Sequence, residues 1–104
     1  MSKSNRKYWE NLNEAAPLAG KAYRGKDNIV RWVTYISERG YLHLLWLDET
    51  SKVWHDGGKV RGTQWDGGAD ASHLVPQPGD EYLETNFYGQ VQTRRVPPAP
   101  PVDL

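Results

Sequence analysis

Apolar and polar positions alternate in short runs along most of this chain, and turn-forming residues separate the runs. The strongest strand pattern, 28–37, has β-branched or aromatic residues on both alternating sets of positions. This pattern predicts a central strand that is covered on both faces. Glu38-Arg39-Gly40 predicts a tight turn, and 41–47 predicts the returning strand of a β-hairpin.

Weaker runs predict more strands on either side of this hairpin. We expect them at 20–25, at 53–55 before a turn at Asp56-Gly57-Gly58, at 59–65, and as a closing pair at 81–85 and 88–96, with a loop over 66–80. Short strands at regular spacing are typical of small β domains. The sequence therefore predicts a mainly β fold: a small antiparallel barrel or curled sheet, SH3-like or OB-like, of five or six strands.

The two ends of the chain have different patterns. Tyr8, Trp9 and Leu12 recur at three- and four-residue spacing, which predicts one short N-terminal α-helix over 5–16. The Pro-rich segment 97–104 predicts an extended, disordered tail, and its basic-PxxP pattern also occurs in ligands of aromatic grooves. One domain then spans 1–96. Its predicted core consists of Trp9, Leu12, Val30, Trp32, Leu42, Leu44, Trp46, Val53 and Tyr82.

Composition changes this picture in two respects. Five Trp and six Tyr in 104 residues are more rings than a thin core can enclose, so we expect some of them at the surface as contacts for a macromolecule. The absence of Cys excludes disulfides and thiolate metal sites.

No apolar run approaches the ~18 residues of a membrane span, and the N-terminus lacks a secretory pattern. We expect a cytoplasmic protein that does not bind membranes.

Signals for catalysis or metal binding are weak. Imidazoles and carboxylates fall within one short stretch, but their spacing matches no metal signature. These residues are His55, Asp56, Asp66, Asp70 and His73. The chain also lacks a nucleophile elbow and a phosphate-binding Gly loop. We expect no enzymatic activity and no cofactor, and a small metal- or ligand-binding domain is the weakest alternative.

Protein binding is the function that these patterns favour. Residues 41–93 carry eight Asp or Glu against three Lys or Arg, and the acidic stretch 66–84 suits a basic patch on a partner. We expect a non-catalytic regulator that occludes a protein partner, of the kind that a phage or mobile element encodes to inhibit a host factor. The predicted partner-binding residues are Trp54, Trp65, Asp66, Asp70, Glu81 and Tyr88.

Single-stranded nucleic acid is the main alternative partner. Residues 1–40 carry eight Lys or Arg against four Asp or Glu, and rings are interleaved with these cations. The predicted contacts are Lys21, Tyr23, Arg24, Lys26 and Arg31. A net charge of zero weakens the long-range attraction that such proteins use, so this alternative ranks second.

Overall fold

A computed structural model of the chain describes residues 18–65 and 68–96. Within these ranges the fold is mainly β, as predicted. The seven strands are β1 (Ala22–Arg24), β2 (Val30–Ile36), β3 (Tyr41–Asp48), β4 (Val53–Arg61), β5 (Ala69–Asp70), β6 (Glu81–Thr85) and β7 (Val91–Arg95). Two 3-10 turns, Gly62–Gln64 and Ser72–Leu74, flank β5. The predicted helix over 5–16 and the tail 97–104 lie outside the described residues.

The strands form one sheet in the order β5-β1-β2-β3-β4-β6-β7. Its edges, β5 and β7, are not paired with each other, so the sheet is not a closed barrel. The prediction of an entirely antiparallel sheet was wrong, because β6 pairs with β4 in parallel. A parallel pair needs a long crossover, and the chain from 62 to 80 supplies it after β4 ends.

The hairpin of β2 and β3 is confirmed, as is the antiparallel pairing of β6 with β7. The turn of the first hairpin is closed by backbone hydrogen bonds from Ser37 N to Tyr41 O and from Gly40 N to Ser37 O, each 2.9 Å long. Strand β2 lies between β1 and β3, which agrees with its predicted central position.

The predicted turn at Asp56-Gly57-Gly58 is instead a β-bulge inside β4. Leu45 pairs with Asp56 and His43 with Lys59, so two glycines lie opposite one residue of β3. Gly58 has a positive φ of 74°, and the Asp56 carboxylate accepts a 2.8 Å hydrogen bond from its N–H. An Asp-Gly-Gly sequence serves a bulge as well as a turn, because both need the left-handed backbone that glycine adopts.

A second bulge lies on the other side of β3. Val33 pairs with Leu44 and Tyr35 with His43, which leaves Thr34 as the extra residue of β2. The Thr34 hydroxyl donates a 3.1 Å hydrogen bond to the His43 carbonyl oxygen. The two bulges thus lie on either side of residues 43–45 of β3. We call the line that joins them across β2, β3 and β4 the crease.

The apolar side chains change from one face of the sheet to the other at the crease. Directly paired residues share a face, so the ladder assigns every side chain to a face. On the face that carries Trp32, a buried cluster contains Ala22, Val30, Trp32, Leu47, Trp54, Ala71, Val75 and Val96. On the opposite face, beyond the crease, a second cluster contains Val33, Ile36, Leu42 and Leu44, with Leu18, Ala19, Val60 and Trp65 packed against it.

Five residues of the predicted core are buried, and they are Val30, Trp32, Leu42, Leu44 and Val53. Trp46 and Tyr82 are half-buried, while Trp9 and Leu12 lie outside the described residues. The Trp46 ring stacks on His55, with centroids 4.5 Å apart. Trp46 is only half-buried because the buried cluster on its face of the sheet lies on the other side of the crease.

Three rings form the centre of the larger cluster. Trp32 meets Trp54 and Tyr82 edge-to-face, with centroids 5.2 Å apart in each pair. The Trp32 indole Nε1 is buried. Among the described residues, it is the one buried side-chain N or O atom without a hydrogen-bond partner. Such a donor lowers stability by about 1–3 kcal/mol.

Candidate functional site

The hairpin of β6 and β7 ends in a turn that its own hydrogen bonds hold in one shape. The Asn86 side-chain oxygen accepts from Tyr88 N at 2.8 Å and from Gln90 N at 3.0 Å. Backbone bonds from Asn86 N to Gln90 O and from Gly89 N to Asn86 O close the turn. Gly89 supplies a positive φ of 79°, which a tight turn of this kind requires.

This turn holds two aromatic rings in water. Phe87 is 97% exposed and Tyr88 is 83% exposed, and their rings meet edge-to-face at 5.5 Å. Val91 and Leu83 are exposed on the strands behind them. Within the described residues, the exposed large apolar side chains all belong to this hairpin. We call Leu83, Phe87, Tyr88 and Val91 the hairpin surface.

The hairpin surface is electrically neutral at its tip. The nearest charged pairs of the hairpin lie at its opposite end, where Arg95 contacts Glu81 at 3.1 Å, and on the other face, where Arg94 contacts Glu84 at 3.5 Å. Burial raises the pKa of Glu84, and the Arg94 charge opposes this effect. An uncharged, apolar and pre-ordered tip is suited to insertion into an apolar cleft.

The predicted partner-binding residues are distributed over the molecule. Trp54 is buried in the larger core cluster, and Trp65 packs edge-on against Tyr23 at 5.8 Å. Asp70 lies on β5 and Glu81 on β6, with four strands of the sheet between them. Of the predicted residues, Tyr88 belongs to the hairpin surface, and Asp66 lies outside the described residues.

In the described part of the acidic stretch, the Asp70 and Asp80 carboxylates have local hydrogen-bond partners. Asp70 accepts hydrogen bonds from the backbone N and the hydroxyl of Ser72, at 2.9 and 2.5 Å, and these bonds lower the pKa of Asp70. Asp80 accepts from Gln77 N at 3.1 Å.

Three of the five residues predicted to contact nucleic acid are engaged by an acid or by another ring. Arg24 forms a 2.6 Å ion pair with Glu49, and Arg31 forms a 2.7 Å ion pair with Asp27. Tyr23 packs against Trp65, and its pKa is raised by burial and by the charge of Asp70. Lys21 and Lys26 are exposed.

The imidazoles and carboxylates singled out in the sequence do not converge where the structure describes them. His55 stacks on Trp46 and lies 3.4 Å from the Thr85 hydroxyl, whereas Asp56 lies on the opposite face. His73 is exposed. In residues 18–65 and 68–96, no three His, Asp or Glu side chains are close enough together to hold a metal ion.

A cavity of about 190 Å³ lies beside the larger core cluster. Its walls are mainly apolar and include Trp32, Val75, Pro76, Tyr82 and Val96. Two arginines line it, but Arg95 is held by Glu81 and the Gly79 carbonyl, and Arg94 contacts Glu84. The Trp32 Nε1 beside it is sealed from solvent.

Sequence reasoning missed Phe87. The available signal was the Asn-Phe-Tyr-Gly turn between two alternating runs, because rings at the tip of a short hairpin have no core to reach.

Comparisons with known proteins give no family for this chain: no family model matches it, and neither the curated proteins nor the solved structures gave a match. Within the described ranges, no helix is long and apolar enough to cross a membrane.

Proposed function

We propose that this chain is a non-catalytic protein-binding domain whose hairpin surface inserts into an apolar cleft of a partner protein. One observation carries the proposal: Phe87 and Tyr88 are almost fully exposed on a turn in which the Asn86 side chain accepts two backbone hydrogen bonds. Occlusion of the partner's cleft is then the mode of action.

Physical reasons favour a functional role for these two rings. Exposed apolar area that contributes nothing to the core adds a risk of aggregation, and monomeric proteins keep such patches small unless a partner covers them. Aromatic anchors at the centre of an interface often contribute at least about 2 kcal/mol each. The hydrogen-bonded turn lowers the entropy lost on binding, because the loop is ordered before contact.

The test compares a variant of the hairpin surface with a control variant at an exposed position on the other hairpin. The chain is immobilised and used to retain proteins from a lysate of its native cell, alongside a Phe87→Ser/Tyr88→Ser double variant. Glu38→Ser is the control, because Glu38 is exposed in the turn of the other hairpin. We expect a stoichiometric protein that the wild type and the control retain and the double variant loses.

The retained protein is then purified and its affinity measured by calorimetry. We expect the double variant to bind at least about 30-fold more weakly, which corresponds to about 2 kcal/mol. Phe87→Tyr should keep most of the affinity, since the ring remains. Equal affinity of the double variant refutes the proposal. Ring-dependent binding to lipid vesicles, or ring-dependent self-association in sedimentation, without any protein partner also refutes it.

A further inference from the structure

Aromatic and basic side chains meet on the Trp32 face of the sheet, on the far side of the crease from Trp32. In this part of the sheet, the buried cluster lies on the opposite face. Tyr35 stacks on His43 with centroids 4.0 Å apart and planes within 13°. Lys59 Nζ lies 4.9 Å and Arg61 Cζ lies 5.5 Å from the centre of the Tyr41 ring. The pairings Tyr35–His43, His43–Lys59 and Tyr41–Arg61 place all five on one face. We call them the basic–aromatic patch.

The exposed side chains of this patch are cationic, and its three rings are half-buried. Lys59 and Arg61 are exposed, and Arg39 is exposed in the adjoining turn. The acids nearby are Asp56, which borders His43 on the same face, and Glu38 in the turn. Burial and the Lys59 charge lower the pKa of His43, and the Asp56 charge opposes them, so the imidazole is a neutral flat ring at neutral pH.

We propose that the basic–aromatic patch binds single-stranded nucleic acid, with Lys59 and Arg61 on phosphates and the rings of Tyr35, Tyr41 and His43 against bases. Single-strand sites combine these two elements: cations that follow the backbone and rings on which unpaired bases stack. The patch supplies both on one face of the sheet. It lies on β2, β3 and β4, apart from the hairpin surface on β6 and β7, and so does not depend on the proposed protein-binding function.

The site differs from the surface that the sequence predicted. There, Arg24 and Arg31 are in close ion pairs with carboxylates. In the patch, the Lys59 ammonium lies over the Tyr41 ring, and an ammonium above a ring still has N–H donors for a phosphate oxygen. Lys26, exposed in the β1–β2 turn, is therefore a matched control for Lys59.

The experiment measures fluorescence anisotropy of a labelled oligothymidylate of about 12 nucleotides, a length in the range of known single-strand sites. We expect wild-type binding that weakens steeply between about 50 and 200 mM salt. Lys59→Gln should reduce the salt slope by about 1 and weaken binding, whereas Lys59→Arg should restore both. Tyr41→Leu should weaken binding about tenfold at constant salt slope, because it removes a stacking ring.

Three results overturn the proposal. One is no binding at low salt by wild-type protein. Another is an equal loss in Lys26→Gln and Lys59→Gln, which places the contact elsewhere. The third is equal affinity for a duplex of the same length, because paired bases cannot stack on the patch. Circular dichroism of each variant checks that the fold is retained, and Lys59→Arg separates a lost charge from a lost fold.

Discussion

The buried N–H of Trp32 allows the core to be tested with one matched pair of substitutions. Trp32 and Trp54 pack against each other and are 5% and 3% exposed. Replacing either with Phe removes roughly 50 Å² of buried ring, worth about 1.3 kcal/mol. Only Trp32→Phe also removes a buried donor without a partner, which returns about 1–3 kcal/mol. At Trp32, the loss of buried area and the removal of the unpartnered donor change the free energy of unfolding in opposite directions. At Trp54, only the loss of buried area applies.

We therefore expect Trp54→Phe to lower the free energy of unfolding by about 1–2 kcal/mol and Trp32→Phe to leave it unchanged or raise it. Urea unfolding followed by circular dichroism measures both, and it avoids the altered fluorescence of the variants. Equal m-values are the control that the extent of unfolding is the same.

The reasoning is refuted if Trp32→Phe is as destabilising as Trp54→Phe. That result would indicate an N–H···π contact of Trp32 with Trp54 or Tyr82, the two rings that the Trp32 ring meets in T-shaped geometry.

Further predictions concern the bulge, two carboxylates and the hairpin surface. Gly58→Ala should lower the unfolding free energy by about 1 kcal/mol in urea, and Gly58→Asn by less, because the backbone is left-handed and no atom lies within 4 Å of the added Cβ. Glu84→Gln should stabilise the fold at pH 7. Burial raises the folded-state pKa of Glu84, so its contribution to stability falls as pH rises through that pKa, and the benefit of Gln should vanish in a melting series below about pH 4. Asp27→Asn should have the opposite pH dependence. The Arg31 guanidinium and the Ile29 N–H hold the pKa of Asp27 at about 2, so its contribution is present above the ordinary Asp range and is lost as acid approaches that value. Phe87→Ser should leave the unfolding free energy within about 0.5 kcal/mol of wild type.

The local elements were readable from the sequence because side-chain pattern alone determines them. Apolar and β-branched residues predicted the β2–β3 hairpin, and Asn86 marked the join between β6 and β7, although β7 begins at Val91 and not at Tyr88 as predicted. The parallel pairing of β4 with β6 was not readable, because it joins segments that are distant in the chain and carries no local signal. The bulge at Gly57-Gly58 was read as a turn because both structures use the same residues.

The candidate sites were harder to predict, since they depend on which face each side chain takes. Trp54 looked like a surface contact, but its pairing with Leu47 puts it in the larger cluster. The patch around Tyr41 brings together residues of three strands in a register that the two bulges determine. A surplus of rings was a sound reason to expect exposed aromatics, yet it did not identify Phe87.

The crease also explains why the central strands are so uniformly apolar. A strand such as Tyr41–Asp48 contributes to an interior on one side over half its length and on the other side over the rest. It therefore needs apolar residues at odd and even positions alike, although among the described residues neither face of the sheet is covered along its whole length. A hydropathy profile cannot distinguish such a strand from one sandwiched between two layers.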